Sequence, residues 1–457
     1  MTMSQVAPSA VAPEAERQQP AAAPPPARAP RPARRHRLTP PARLAVETAA
    51  ALLALAALCV GAILGAVSVR ADTADLRVGV AQRASVAAEL RFALADLDAQ
   101  RADQLVPGHA AADPDVLVGN RLLALITAQQ RRREISALLR ELGSDTSQAE
   151  RVRGLLDALG RYDDASGRAG YADEQQPDRA AGHPPAVAVA LSAEAGDIMR
   201  TDLLPTAEAL TRTYNAQAVR LEGTAHAAAV RAAITVGCLG VLALVVLVWW
   251  QRQLGRRYHR VVNLALLVAT CAVLAVTLTG VVSFVSAATD LETAASQGLQ
   301  PWSRLAEARA VAADAAASES RWLVDDSGSA AQQRARFAAL TGRLDTLLAP
   351  AAYGDVRARY QHFRADDREL QRLLAAGRLD SAAALLTNVS RGNVAFDFWD
   401  FATSLDRFAA QQESVALDHI SAARSGLDAW PAVPAAALGL AAALVLAGVR
   451  PRFAEYR

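Results

Sequence analysis

The sequence predicts an all-α membrane protein with four transmembrane helices and two extracytoplasmic, antiparallel four-helix bundles. Three observations predict this fold. Four segments are long and apolar enough to cross a bilayer core, which needs about 20 residues of helix. Two long polar segments between them carry apolar residues at helical spacing. No stretch shows the strict alternation of apolar and polar residues that a half-buried strand requires.

The composition argues against a nucleic-acid-binding protein and against a disulfide-rich one. Of 457 residues, 52% are hydrophobic and only 5% aromatic, so alanine, leucine and valine supply the hydrophobicity. The 48 basic residues are all arginine and are nearly balanced by 46 acidic ones, which gives no nucleic-acid-binding footprint. The three cysteines, Cys59, Cys238 and Cys271, lie in apolar runs, so no disulfide framework is expected.

The predicted spans cover residues 44–69, 232–250, 261–287 and 430–449. Arginine is concentrated in the three segments that flank them on one side: the tail 1–43, the link 251–260 and the tail 450–457. The positive-inside rule places these segments in the cytoplasm. We therefore expect a multi-pass protein of the cell membrane with both termini cytoplasmic.

The first span is predicted to be a retained anchor, because its apolar run is longer than that of a signal peptide and follows a long tail. That tail, residues 1–43, is rich in Pro, Ala and Arg and is expected to be disordered. It serves either as a lipid-facing topogenic segment or as a docking site for a cytoplasmic protein.

The two remaining segments, 70–231 and 288–429, are each predicted to form a bundle. Clusters of Gly, Pro, Asp and Ser divide each segment into four helices, and Pro301 is expected to kink one of them. The acidic stretch 161–185 is predicted to be a long membrane-distal loop, either a linker or a partner-binding tip. Similar pentapeptides, TADLR at 73–77 and ATDLE at 288–292, suggest that the two halves are a duplication.

No catalytic signature is present in the sequence. The seven histidines are scattered without metal-ligand spacing, and no nucleotide-binding or nucleophile motif occurs. We therefore predict a protein that is not an enzyme, with no catalytic residue, metal or cofactor. The spans carry no charge at mid-depth, which disfavours a stand-alone transporter.

Two further patterns leave alternatives open. Gly61 and Gly65 form a GxxxG pattern, which serves either ordinary packing within the chain or a dimerisation face, so a homo-oligomer stays possible. The run Gln129–Glu134, with three consecutive arginines, is either a solvated face or an anion-binding site.

The stretch AFDFWDF at 395–401 contains the candidate partner-binding residues. Phe398 and Phe401 belong to an a/d seam that predicts burial in the bundle core. Phe396 and Trp399 point away from that seam. They are either covered by Trp322 or the 389–393 loop, or exposed for a partner or the other bundle. Phe396, Trp399 and Trp322 are the predicted partner-binding residues.

The arrangement of span, four-helix bundle and span resembles the sensory half of bacterial chemoreceptors and sensor kinases. Two such units, with almost no cytoplasmic portion and the ending VRPRFAEYR, more closely resemble the actinobacterial GlnX-type membrane proteins. The resemblance covers about residues 45–457. It implies a membrane coupler that passes amino-acid availability from an external solute-binding lipoprotein to a cytoplasmic Ser/Thr kinase.

The leading hypothesis is therefore a non-enzymatic transmembrane sensor or adaptor, whose partners are the lipid bilayer, a solute-binding protein and a kinase. A structural or assembly factor of the cell envelope and an accessory subunit of a transporter are the alternatives.

Overall fold

A computed structural model describes residues 40–108, 114–176, 178–258, 264–325 and 329–454. Most of the predicted tail 1–43 and the end of the predicted link 251–260 lie outside them. The chain divides at Val46 into a short N-terminal unit and a large unit over 47–457, which contains both helical bundles. The described residues form helices and no strand, which confirms the all-α prediction.

Thirteen α-helices follow one another along the described residues. The first half contains α1 (Pro40–Ala74), α2 (Gln82–Asp103), α3 (Pro114–Leu142), α4 (Ala149–Glu174), α5 (Ala186–Ile198) and α6 (Leu204–Tyr258). The second half contains α7 (Leu264–Thr293), α8 (Gln300–Val324), α9 (Ser329–Leu347), α10 (Gly354–Ala375), α11 (Leu379–Thr387), α12 (Val394–Ser425) and α13 (Ala432–Ala454).

Four helical runs are long and apolar enough to cross a membrane, which makes this a multi-pass membrane protein. They are Ala45–Asp103, Ala186–Leu254, Leu264–Val324 and Ala432–Arg450. The first three runs are 59, 69 and 61 residues long, far more than a bilayer needs, so each continues without a loop into a bundle helix. Only α13 is separated from its bundle helix, by a short turn after Ser425.

Three of the long helical runs each contain one short π-helical segment. They cover Asp75–Ala81, Met199–Leu203 and Ala294–Leu299. Pro205 and Pro301 each follow such a segment by two residues. Because proline lacks the N–H and crowds the preceding turn, a locally widened helix accommodates it without breaking. At the predicted kink, Pro301, the helical run thus continues from α7 through the π turn into α8.

The first bundle is built from α2, α3, α4 and the pair α5–α6, around a core of leucine, alanine and tyrosine side chains. The sequence prediction of a loop over 161–185 is wrong for its first part, because α4 continues to Glu174. Tyr162, Ala165 and Ala169 repeat at helical spacing and are buried, so packing extends this helix despite its acidic exposed face. Only residues after Glu174 connect α4 to α5.

The second bundle is built from α8, α9, α10 and α12, with the short α11 between the last two. Gly377 adopts φ of +70°, a left-handed conformation that ends α10 and separates it from α11. The core contains a cluster of aromatic rings, including Tyr360 and Phe401 at 5.2 Å between centroids.

The small residues of the GxxxG pattern lie where helices of the chain approach closely. A Cβ atom added at Gly61 would lie 2.9 Å from Leu239, and one at Gly65 would lie 2.8 Å from Ala232. Both neighbours belong to α6, so the pattern packs α1 against the second span. This contact accounts for the glycines without a second copy of the chain.

Candidate functional site: the cleft between the bundles

The two bundles are joined through α2 and α8. These helices pack against each other, and most of α8 is buried. Trp302 and Ala306 of α8 belong to the core of the first bundle, and Val106, which follows α2, belongs to the core of the second. The two bundles therefore share their cores, which the sequence did not predict.

A buried ion pair crosses this interface. The Arg321 guanidinium of α8 donates two hydrogen bonds to the Asp98 carboxylate of α2, at 2.7 and 2.5 Å. The Tyr162 hydroxyl of α4 donates to the same carboxylate at 3.1 Å. Both charged side chains are almost completely buried, with exposures of 7% for Arg321 and 3% for Asp98. Burial, together with the negative charge of Asp98, raises the pKa of Tyr162 well above its usual value, so the hydroxyl stays a donor.

Gly196 of α5 provides the space for the Arg321 side chain. A Cβ atom at this position would lie 2.8 Å from Cζ of Arg321. We expect Gly196→Ala to destabilise the protein by about 1–3 kcal/mol, because the guanidinium must shift in a packed interior. Thermal unfolding measures this effect. Gly154→Ala on the exposed side of α4 is the control, since nothing lies within 4 Å of its added Cβ. Equal stability of the two variants would contradict the prediction.

Beside this interface lies a cleft of about 670 Å³, which is the candidate functional site. Its walls are α2 and α3 of the first bundle and α8, α11 and α12 of the second. The polar groups of the lining include Asp96, Asp103, Asn120, Arg131, Arg309 and Asp406. The apolar groups include Phe92, Leu123, Leu386, Phe396, Phe398 and Trp399. Cavities of this size and mixed lining are typical of small-molecule sites.

Two arginines occupy the membrane-proximal part of the cleft. Arg131 bonds to Asp96 at 2.6 Å, and Arg309 bonds to Glu89 at 2.9 Å and to Asp406 at 2.8 Å. Both guanidinium groups also lie near the ring of Phe92, at 4.9 and 4.1 Å from its centroid. Pairing and stacking hold these side chains in place.

The distal part of the cleft contains a different polar group, Asp103 at the end of α2. Ser320 of α8 donates a short hydrogen bond to its carboxylate. Burial, together with the neighbouring charge of Asp96, raises the pKa of Asp103 to about 6, although the Ser320 bond and Arg321 oppose the rise. Asp103 thus titrates near neutral pH.

The structure places two of the three predicted partner-binding residues at the cleft. Trp399 is 59% exposed, and its ring lies 5.8 Å from that of Phe396. Arg391, from the predicted covering loop, lies over Phe396. Trp322 is elsewhere: it is 3% exposed and belongs to the core of the second bundle, with Arg334 over its ring.

The two predicted core residues, Phe398 and Phe401, differ in burial. Phe401 is fully buried. Phe398 is half-buried, packs on the core at 5.4 Å from the Phe363 ring, and lines the cleft as well.

The arginine run 129–134 contributes to packing between helices. Arg131 bonds to Asp96 of α2, and Arg132 bonds to Asp163 of α4 at 2.6 Å. Arg133 is exposed. The run is thus neither wholly a solvated face nor a set of free cations. Among the described residues, no group of three or more His, Cys, Asp or Glu side chains is arranged to bind a metal ion.

Sequence reasoning missed Asp98, Asp103 and Arg321. A signal was available, because each charge interrupts an alanine-rich helical stretch that is otherwise suited to burial. The pairing of Asp98 with Arg321 needed the structure, since these two residues are more than 200 residues apart.

The first half of the chain is similar to a known family. No curated protein matches the chain significantly, and no solved structure does. Residues 72–222 match the family model described as the actinobacterial sensor domain. This range begins near the end of α1, just before the first π-helical segment, and ends within α6, so it covers the first bundle. The match supports an actinobacterial sensor-type protein, with the first bundle as the part that resembles the family.

Proposed function

We propose that the protein is a non-enzymatic transmembrane sensor that detects an external signal at the cleft and transmits it through its spans. One observation carries this proposal: the walls of the cleft come from both halves, and α2 and α8 continue through π turns into the spans. A change in the spacing of the bundles would move these helices. Helix shifts of about 1–2 Å at subunit interfaces accompany known allosteric transitions.

The exposed aromatic residues beside the cleft suggest how the signal arrives. Trp399 and Phe396 form a small apolar surface, and Val389 next to them is also exposed. Large aromatic side chains are enriched at protein interfaces. We propose that an external solute-binding protein docks here, and that a cytoplasmic partner such as a Ser/Thr kinase receives the signal, as the GlnX-type resemblance implies.

Photo-crosslinking tests the docking surface in cells. A benzoyl-phenylalanine at Val389 is expected to capture a solute-binding protein. The same probe at Tyr171 is the control, because Tyr171 is exposed on α4 and does not line the cleft. Capture at both positions alike, or of no solute-binding protein at Val389, would contradict the proposal.

Trp399→Ala extends this test. The exposed ring contributes little to the core, so we expect capture from Val389 to fall several-fold while the unfolding temperature is nearly unchanged. A variant that unfolds more readily but retains capture would place Trp399 in the fold and reject it as a docking residue.

A structural factor of the cell envelope is the second candidate, because the bundles are long helical bodies on membrane anchors. It predicts that deletion alters envelope integrity and leaves amino-acid-dependent phosphorylation unchanged. The sensor predicts that deletion abolishes this phosphorylation response.

A further inference from the structure

The charges around the cleft are predominantly negative. Two arginines, Arg131 and Arg309, face the cavity, and four carboxylates surround them: Glu89, Asp96, Glu134 and Asp406. Each arginine is thus shared between two acids. Asp103 adds a fifth carboxylate farther along the cavity, and no arginine pairs with it among the described residues.

The cation whose charge acts on Asp103 is already bound by another carboxylate. Arg321 is the nearest basic group on α8, and it is held by two hydrogen bonds to Asp98. Asp96 on α2 is a like charge, and the buried Glu319 on α8, whose pKa is raised well above its usual value by burial and by neighbouring acids, supplies no positive charge. Ser320 supplies the one hydrogen bond described for the Asp103 carboxylate.

The α12 wall of the same cavity is aromatic. Phe396, Phe398 and Trp399 of α12 line it. The arginines near the cleft stack on Phe92 and Phe396. The indole of Trp399, the ring type that attracts cations most strongly, has an exposed face. A carboxylate without a paired cation, in the same cavity as an exposed aromatic ring, is the chemistry that recognises an ammonium group with an apolar body.

We propose that the cleft binds a small organic cation, with its ammonium group at Asp103 and its apolar body against Trp399 and Phe396. This inference rests on the proposed function, since it takes the cleft to be the sensing site. The occupant would contact α2 and α12 together and so bridge the two bundles. A bridging ligand is suited to change their spacing.

The pH dependence of binding follows from Asp103. The free carboxyl has a pKa of about 6, and only its ionised form attracts a cation. Affinity is therefore nearly constant above pH 7 and falls as the pH drops through 6, approaching tenfold for each further unit.

Calorimetry on the full-length protein in nanodiscs tests the proposal with four probes of similar size. We expect 2-phenylethylamine, a cation at these pH values, to bind at least tenfold more tightly than neutral 2-phenylethanol and anionic 3-phenylpropionate. Phenylalanine, a zwitterion, is the fourth probe. Asp103→Asn should reduce the affinity for the amine at least tenfold and remove its decline below pH 6. Asp157→Asn, on the exposed face of α4, is the matched control.

Equal binding of the neutral probe, tighter binding of phenylalanine, or unchanged affinity in Asp103→Asn would each overturn the proposal. The unfolding temperature of each variant shows whether it is folded. Failure of amine binding while Val389 still captures a solute-binding protein would reject the ligand class and leave the proposed sensor intact. Failure of both would reject the cleft as the sensing site.

Discussion

Replacement of Arg321 by methionine is expected to lower the free energy of unfolding by about 3–5 kcal/mol. The guanidinium is the only partner of opposite charge that bonds to the Asp98 carboxylate among the described residues, and both groups are almost completely buried. Removal of one member of such a pair leaves an uncompensated charge in a medium of low polarity, which is the costly case. The effect should also loosen the contact between the bundles, because the pair joins α2 to α8.

The double variant Asp98→Asn/Arg321→Met separates the cost of an unpaired buried charge from the contribution of the ion pair itself. It removes both charges together, and the amide oxygen of the new asparagine still accepts from Tyr162. We expect it to recover most of the lost stability, since a buried pair contributes far less than either unpaired charge costs. Unfolding by guanidinium chloride in nanodiscs, followed by tryptophan fluorescence, measures the free energy of unfolding of the unsubstituted protein, the single variant and the double variant. A double variant as unstable as Arg321→Met would show that the ion pair itself stabilises the interface.

Phe401→Ala is expected to cost about 3–5 kcal/mol, the second of the two largest effects. The Phe401 ring is fully buried, 5.2 Å from Tyr360 and 6.4 Å from Phe398 between centroids. Its removal leaves a cavity that the rigid aromatic cluster cannot fill by relaxation.

Trp399→Ala on the same helix is the matched control for Phe401→Ala. Its side chain is larger but 59% exposed, so we expect a loss below about 1 kcal/mol. The same unfolding experiment compares the two. Equal losses would mean that the exposed and buried faces of α12 are not distributed as described.

The aromatic stretch is the clearest case in which the sequence predicted the burial of single side chains, although Phe398, predicted to be buried in the core, is only half-buried. Spacing along one helix determines which side chains share a face, and it correctly predicted burial of Phe401 and a position off the seam for Trp399. The all-α membrane fold followed from equally local quantities, namely the length and apolar character of the helices.

Other features depend on contacts between distant segments, and these were missed. The helix through 161–174 looked like a loop because its exposed side is acidic and glycine-containing, while its buried alanines and Tyr162 are held by the neighbouring helices. The fusion of the bundles through α2 and α8, and with it the cleft, comes from pairing of residues of the two halves, both apolar and charged. Hydrophobic periodicity cannot report such pairing. Trp322, expected near Phe396 and Trp399, proved to be part of the core.

We expect the cleft and the far ends of the spans to move together. A large side chain placed in the cleft mimics an occupant without requiring the natural ligand. Ala316 of α8 lines the cavity and is partly exposed, so Ala316→Trp is suitable. Ala349→Trp, at an exposed position away from the cleft, is the control.

Electron paramagnetic resonance distances between spin labels provide the test, in a protein whose three cysteines are replaced by alanine. One label pair at Arg252 and Arg450 reports the span ends that lie opposite the bundles, and a second pair at Leu123 and Thr403 reports the cleft. We predict that Ala316→Trp shifts both distances, the first by about 1–2 Å, while the control shifts neither. A change across the cleft with an unchanged distance between the span ends would show that the cleft and the spans are not coupled.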